Sequence, residues 1–80
     1  MKLPRDLSGA DLVKALERHG YGVTRQKGSH MRLTTHKNGE HHVTVPHHNP
    51  LRIGTLRAIL EMVATHLGLD REELQRDLFD

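Results

Sequence analysis

The sequence predicts an α+β fold, a three-stranded antiparallel sheet with amphipathic helices over one face. Three observations predict it. Apolar residues recur at helical spacing near both ends of the chain. Between those ends, three short stretches alternate apolar and polar side chains, which is the strand period. The stretches are separated by Gly28-Ser29 and Asn38-Gly39, residue pairs suited to reversing the chain.

The elements follow in order. "SGADLVKALERHG" reads as a helix capped by Ser8, with Asp11 three residues on completing a capping box. Leu12, Val13, Ala15 and Leu16 form its apolar face, and Gly20 suits a left-handed end. "YGVTRQK" alternates weakly, with Tyr21 and Val23 on one side and Thr24 and Gln26 on the other, and reads as a strand. Gly28 then permits a tight turn or a bulge. In "HMRLTTH", Met31 and Leu33 face the core, while His30, Arg32 and Thr34 face away. Asn38-Gly39 is a strong hairpin signal because both residues tolerate positive φ. "HHVTVP" returns with Val43 and Val45 inward and His42 and Thr44 outward, and Pro46 ends it. "TLRAILEMVATHLG" is a helix with Thr55 as N-cap, Gly68 just past its end, and a stripe of Leu56, Ile59, Leu60, Val63 and Leu67. "LDREELQRDLF" is a short final helix with an Asp70/Glu73 capping box and a Leu69–Leu74 staple. The predicted order is α-β-β-β-α-α. The two larger helices cover one sheet face, and His30, Arg32, Thr34, His42 and Thr44 occupy the other.

Eighty residues make one domain, read here as 1–80 with 69–80 an acidic helical extension. With no cysteine, neither disulfides nor thiolate metal sites can brace it. No apolar run is long enough to span a bilayer, and "MKLPRDLS" lacks a signal core, so a soluble cytoplasmic protein is expected. The net charge of +2 is uneven: residues 1–37 sum to +5 and residues 38–80 to −3. The front half is therefore the candidate anion-facing surface. Tyr21 and Phe79 are the only aromatic residues, which argues against recognition by base stacking. Contact with a nucleic acid would have to use phosphate charge, helix ends and sugar hydroxyls.

Six of the eight histidines fall between residues 30 and 48. The doublets His41-His42 and His47-His48 suggest a metal, but adjacent strand residues point to opposite faces, and no cysteine or spaced carboxylate completes a tetrahedral set. No metal and no cofactor are expected.

"LPRDLSGADLVKALERHGYGV", "RQKGSHMRL" and "VTVPHHNPLRIGTLRAIL", in that order, closely resemble the HicA toxin family, or YcfA-like mRNA interferases. The resemblance runs from Leu3 to about Leu60. It implies a double-stranded-RNA-binding-like α-β-β-β-α fold, here followed by a short C-terminal helix. It also implies metal-independent cleavage of mRNA by the toxin component of a toxin-antitoxin system, and inhibition by a HicB-like antitoxin. The histidine of the "GSH" motif is the family's catalytic residue, which is His30 here. An unperturbed imidazole titrates near about 6.5 and can act as base or acid on a ribose 2′-OH and its phosphate. Around it, Lys27 and Arg32 are candidate RNA phosphate contacts, Gly28 and Ser29 candidate positioning residues, and Thr55 a candidate phosphate contact at a helix start. His42, across the hairpin, is a candidate second proton-transfer group, subject to the register. The competing reading is a non-catalytic double-stranded-RNA-binding module.

Overall fold

The computed structural model describes residues 3–79. Helix α1 (Gly9–Glu17) is followed by strands β1 (Gly22–Lys27), β2 (His30–Thr35) and β3 (His41–Pro46), then by α2 (Ile53–Leu67) and α3 (Arg71–Phe79). The strands form one antiparallel sheet in the order β1-β2-β3. Element order and sheet topology agree with the sequence reading.

Local chemistry explains most of the boundaries. Ser8 Oγ accepts the Asp11 N–H at 3.0 Å, while the Asp11 carboxylate accepts the Ser8 N–H at 3.2 Å. The Ser8 N–H, followed by the other bonds of this box, holds the Asp11 carboxyl below its usual range. The same reciprocal box joins Asp70 and Glu73 at the start of α3. Gly68 closes α2 at φ 72°, and its N–H reaches the carbonyls of Ala64 and Thr65. One boundary differs from expectation. Helix α2 starts at Ile53 behind Arg52, with no side-chain cap, so Thr55 is the third helical residue and not the N-cap. The extended backbone at Arg52 opens the helix earlier than the threonine does.

The core lies between the helices and one face of the sheet. Met31, Leu33, Val43 and Val45 meet Leu12 and Leu16 of α1 and Leu56, Leu60 and Val63 of α2, all buried. Each fully buried aliphatic side chain stabilises the fold by about 1.5–3 kcal/mol. Helix α3 buries Leu74 and Leu78 in the same cluster, and the Arg18 guanidinium donates to the Leu78 carbonyl at 2.8 Å. Val23 is 42% exposed, although it alternates onto the side of the buried Tyr21. Its strand is an edge, and Val23 lies beyond the cover of the helices.

Strand β1 also holds a bulge. Val23 pairs with Leu33, but Arg25 pairs with Arg32, leaving Thr24 as the extra residue. A bulge re-aims the side chains that follow it. Alternation continued unbroken from Tyr21 would send Arg25 and Lys27 to the core face. Past Thr24 they instead pair with Arg32 and His30 and join the open face.

Candidate active site

The open face carries His30, Arg32, Thr34, His42 and Thr44, as the alternation predicts, and His30, Arg32, His42 and Thr44 are exposed. At one end, Lys27 and His30 are paired across a two-residue turn made of Gly28 and Ser29. Gly28 has φ +56°. Positive φ at the first central position is the type II′ pattern, and glycine adopts it without a Cβ clash. The tight turn places the residue after Ser29 at the first position of β2, so His30 stands at the rim of the sheet.

Four cationic or proton-binding side chains now share a small area. Arg25 lies opposite Arg32, and Lys27 opposite His30. Direct cross-strand neighbours have Cβ atoms about 4.5–5.5 Å apart, and like charges placed so are destabilising. Among the described residues no carboxylate forms an ion pair with any of the four. The group is therefore an uncompensated positive surface around an exposed imidazole, a setting that attracts phosphate.

The other end of the same face is chemically closed. Thr24 Oγ1 lies 2.9 Å from Thr34 Oγ1, which lies 2.7 Å from His42 Nδ1. His42 Nε2 lies 2.9 Å from a Glu40 carboxylate oxygen. Both ring nitrogens of His42 thus have partners. The register pairs His42 with Thr34, four residues along β2 from His30, or about 13 Å. His42 shares the face of His30 but is not its proton-transfer partner, because the hairpin register holds the two rings apart.

A family model described as "HicA toxin of bacterial toxin-antitoxin" matches residues 9–64. The chain belongs to the HicA toxin family. That family is known as mRNA interferases, and membership implies a cognate antitoxin. No curated protein matches the chain, and no solved structure matches it. Among the described residues no helix is long and apolar enough to cross a membrane.

Of the residues singled out in this HicA-family sequence, Lys27, Gly28, Ser29, His30 and Arg32 converge at the β1–β2 turn. Thr55 does not join them; it is half-buried in the first turn of α2, which has neither a side-chain cap nor an acidic residue. Two residues escaped the sequence reading. Arg25 reaches the open face only because of the Thr24 bulge, for which no local signal exists. Gly9 is buried where α1 meets the segment after β3. A Cβ on Gly9 would stand 2.0 Å from the Pro46 carbonyl oxygen and 3.2 Å from His47 Cα. The "SG" pair at the helix start hints at this close approach, but its partner is invisible in sequence.

His41, on the covered face, has a different role. Its ring stacks on His66 of α2 at 4.2 Å, and its Nδ1 lies 2.9 Å from the Tyr21 hydroxyl. His66 Nε2 lies 2.7 Å from the Lys37 carbonyl and 3.0 Å from that of Gly39. This cluster pins the 36–40 loop to the helix. Burial pushes the Tyr21 phenol up to about 12. Burial, then the positive charge of His66 and His42, holds His41 below the ordinary 6.5. A concavity of about 580 Å³ beside His41, His66 and Met62 belongs to this region and not to the open face.

Proposed function

We propose that this chain, acting as one HicA-like domain, is a metal-independent endoribonuclease that cleaves mRNA, with His30 as its catalytic residue. What supports the reading is one juxtaposition: the histidine of the family motif is exposed at the sheet rim among Arg25, Lys27 and Arg32, with no carboxylate paired to any of them among the described residues. The imidazole takes the proton of a ribose 2′-OH, and the 2′-oxygen attacks the adjacent phosphorus. The bond to the 5′-oxygen breaks as that oxygen takes up a proton, leaving a 2′,3′-cyclic phosphate and a 5′-hydroxyl. Arg25, Lys27 and Arg32 hold the phosphoryl oxygens as charge builds on them. Gly28 and Ser29 set the turn that presents the ring. Thr55 and the side-chain-uncapped first turn of α2 offer N–H groups to a further phosphate of the strand. Metal independence is carried over from the family.

The test is cleavage of RNA by the purified chain, without antitoxin, in excess chelator, beside His30→Ala. Cleavage by the first alone, with the variant's melting temperature unchanged, is the expected result. RNA binding without cleavage by both proteins would make this a double-stranded-RNA-binding module instead. A HicB-like antitoxin is expected to cover His30 and Lys27. If the co-purified complex reacts with diethyl pyrocarbonate at His30 as fast as the free chain, direct coverage is wrong.

A further inference from the structure

In-line cleavage leaves one proton unaccounted for. The departing 5′-oxygen needs an acid, and the residues assigned so far supply only a base. The fold rules out most of the other histidines. His42 is committed to Glu40 and Thr34, and His41 and His66 are stacked on each other on the covered side. His36 stands in the loop at the far end of β2 from His30. The segment that follows β3 is different. Pro46 is the register partner of His30, and the His47 N–H donates to the Ser29 carbonyl, so pairing continues one step beyond the strand. Pro46 shares the open face with His30; alternation turns His47 to the other face and returns His48 to that of His30. With the strand extended by that step, His48 falls diagonal to His30, a position at which α-carbons lie about 7–8 Å apart, and it is exposed. A phosphodiester group fits between two imidazoles so spaced, one toward each oxygen of the in-line displacement. The His48 backbone is held in place by its carbonyl, which accepts the Gly9 N–H at 2.8 Å. Gly9 comes that close because it has no Cβ.

We propose that His48 is the general acid of this site. The inference rests on the reading of His30 as the base and goes one residue further. Neutral His30 accepts the 2′-OH proton, the O2′–P bond forms, the P–O5′ bond breaks, and protonated His48 gives its proton to O5′. The two rings end with their protonation exchanged, and no other reactant is required.

The experiment compares two linkages in a single-stranded oligoribonucleotide, at the position that wild type is first shown to cut. One is the natural phosphodiester. The other carries sulfur in place of the bridging 5′-oxygen, giving a thiolate that leaves without protonation. His48→Ala and His48→Gln should lose about 10²–10⁴-fold on the oxygen linkage and return to within about tenfold of wild type on the sulfur linkage. His30→Ala should be impaired on both. On the oxygen linkage the wild-type pH profile is bell-shaped, and the His48 variants lose its falling alkaline limb. The fold should survive, because Gly9 binds the His48 carbonyl and not its ring. The proposal is overturned if the His48 variants cut the oxygen linkage like wild type, or are equally impaired on both linkages. Wild type that cuts neither linkage would instead defeat the nuclease reading itself, before any variant is made.

Discussion

The two ends of the open sheet face hold the same kinds of residue in opposite states. At the His42 end the imidazole sits between Thr34 and Glu40, and the hydrogen bonds run on to Thr24. At the His30 end the imidazole faces Lys27, with Arg25 opposite Arg32, and no carboxylate pairs with any of these among the described residues. Repulsion among those cations works against folding. The surface that results is one that attracts anions. The difference teaches that exposure and residue type do not separate an engaged imidazole from an open one; its neighbours do.

The comparison breaks most sharply on activity. His30→Ala should lower RNA cleavage by about 10²–10⁴-fold, while His42→Ala should leave it within a few-fold of wild type. Equal losses from the two variants would mean that the ends are not distinct. The next effect is on stability. Gly9→Ala forces a Cβ into the Pro46 carbonyl, where only backbone can move. Overpacking of this kind costs about 1–3 kcal/mol, more than the roughly 0.5–1 kcal/mol that alanine gains over glycine in a helix. Urea denaturation should show the loss, and a variant as stable as wild type would remove the clamp from the His30 end.

Charge gives a smaller effect that sharpens the contrast. Arg25→Gln should reduce the slope of log affinity for single-stranded RNA against log salt by about 0.7, while Glu40→Gln at the other end leaves that slope unchanged. The least effect comes from beneath the His42 end. His41 is neutral in the fold at pH values where the unfolded chain already binds a proton. Its contribution to stability is therefore complete above its unfolded value of 6.5 and is lost as pH falls below it. The melting temperature of wild type should fall further on acidification than that of His41→Gln. Parallel curves from about pH 7.5 to about pH 5 would show that His41 does not carry this dependence.

Much of this was legible without coordinates. The helical stripe of Leu56, Ile59, Leu60 and Val63, the two capping boxes and the alternation in β2 and β3 each depend on residues close in sequence, so spacing alone reveals them. The start of α2 is not legible in the sequence because Thr55 resembles a cap, whereas the extended backbone at Arg52 begins the helix. Val23 is exposed although it shares a side with the buried Tyr21, because alternation says nothing about where a sheet's cover ends. The Thr24 bulge has no local signature, so the face of Arg25 and Lys27 was undetermined.

By itself, the sequence determined the order of elements, the apolar side of the helices and of β2 and β3, the chain break at Gly28-Ser29 and the histidine that the family motif points to. Those properties are periodic or local, and neighbouring residues decide them. Only the tertiary structure decided which histidines are engaged and which are open, that Arg25 joins Lys27 and Arg32 around His30, and that Gly9 grips the chain at His48. Those depend on strand register and on contacts between residues far apart along the chain, where a shift of one position would turn every side chain to the opposite face.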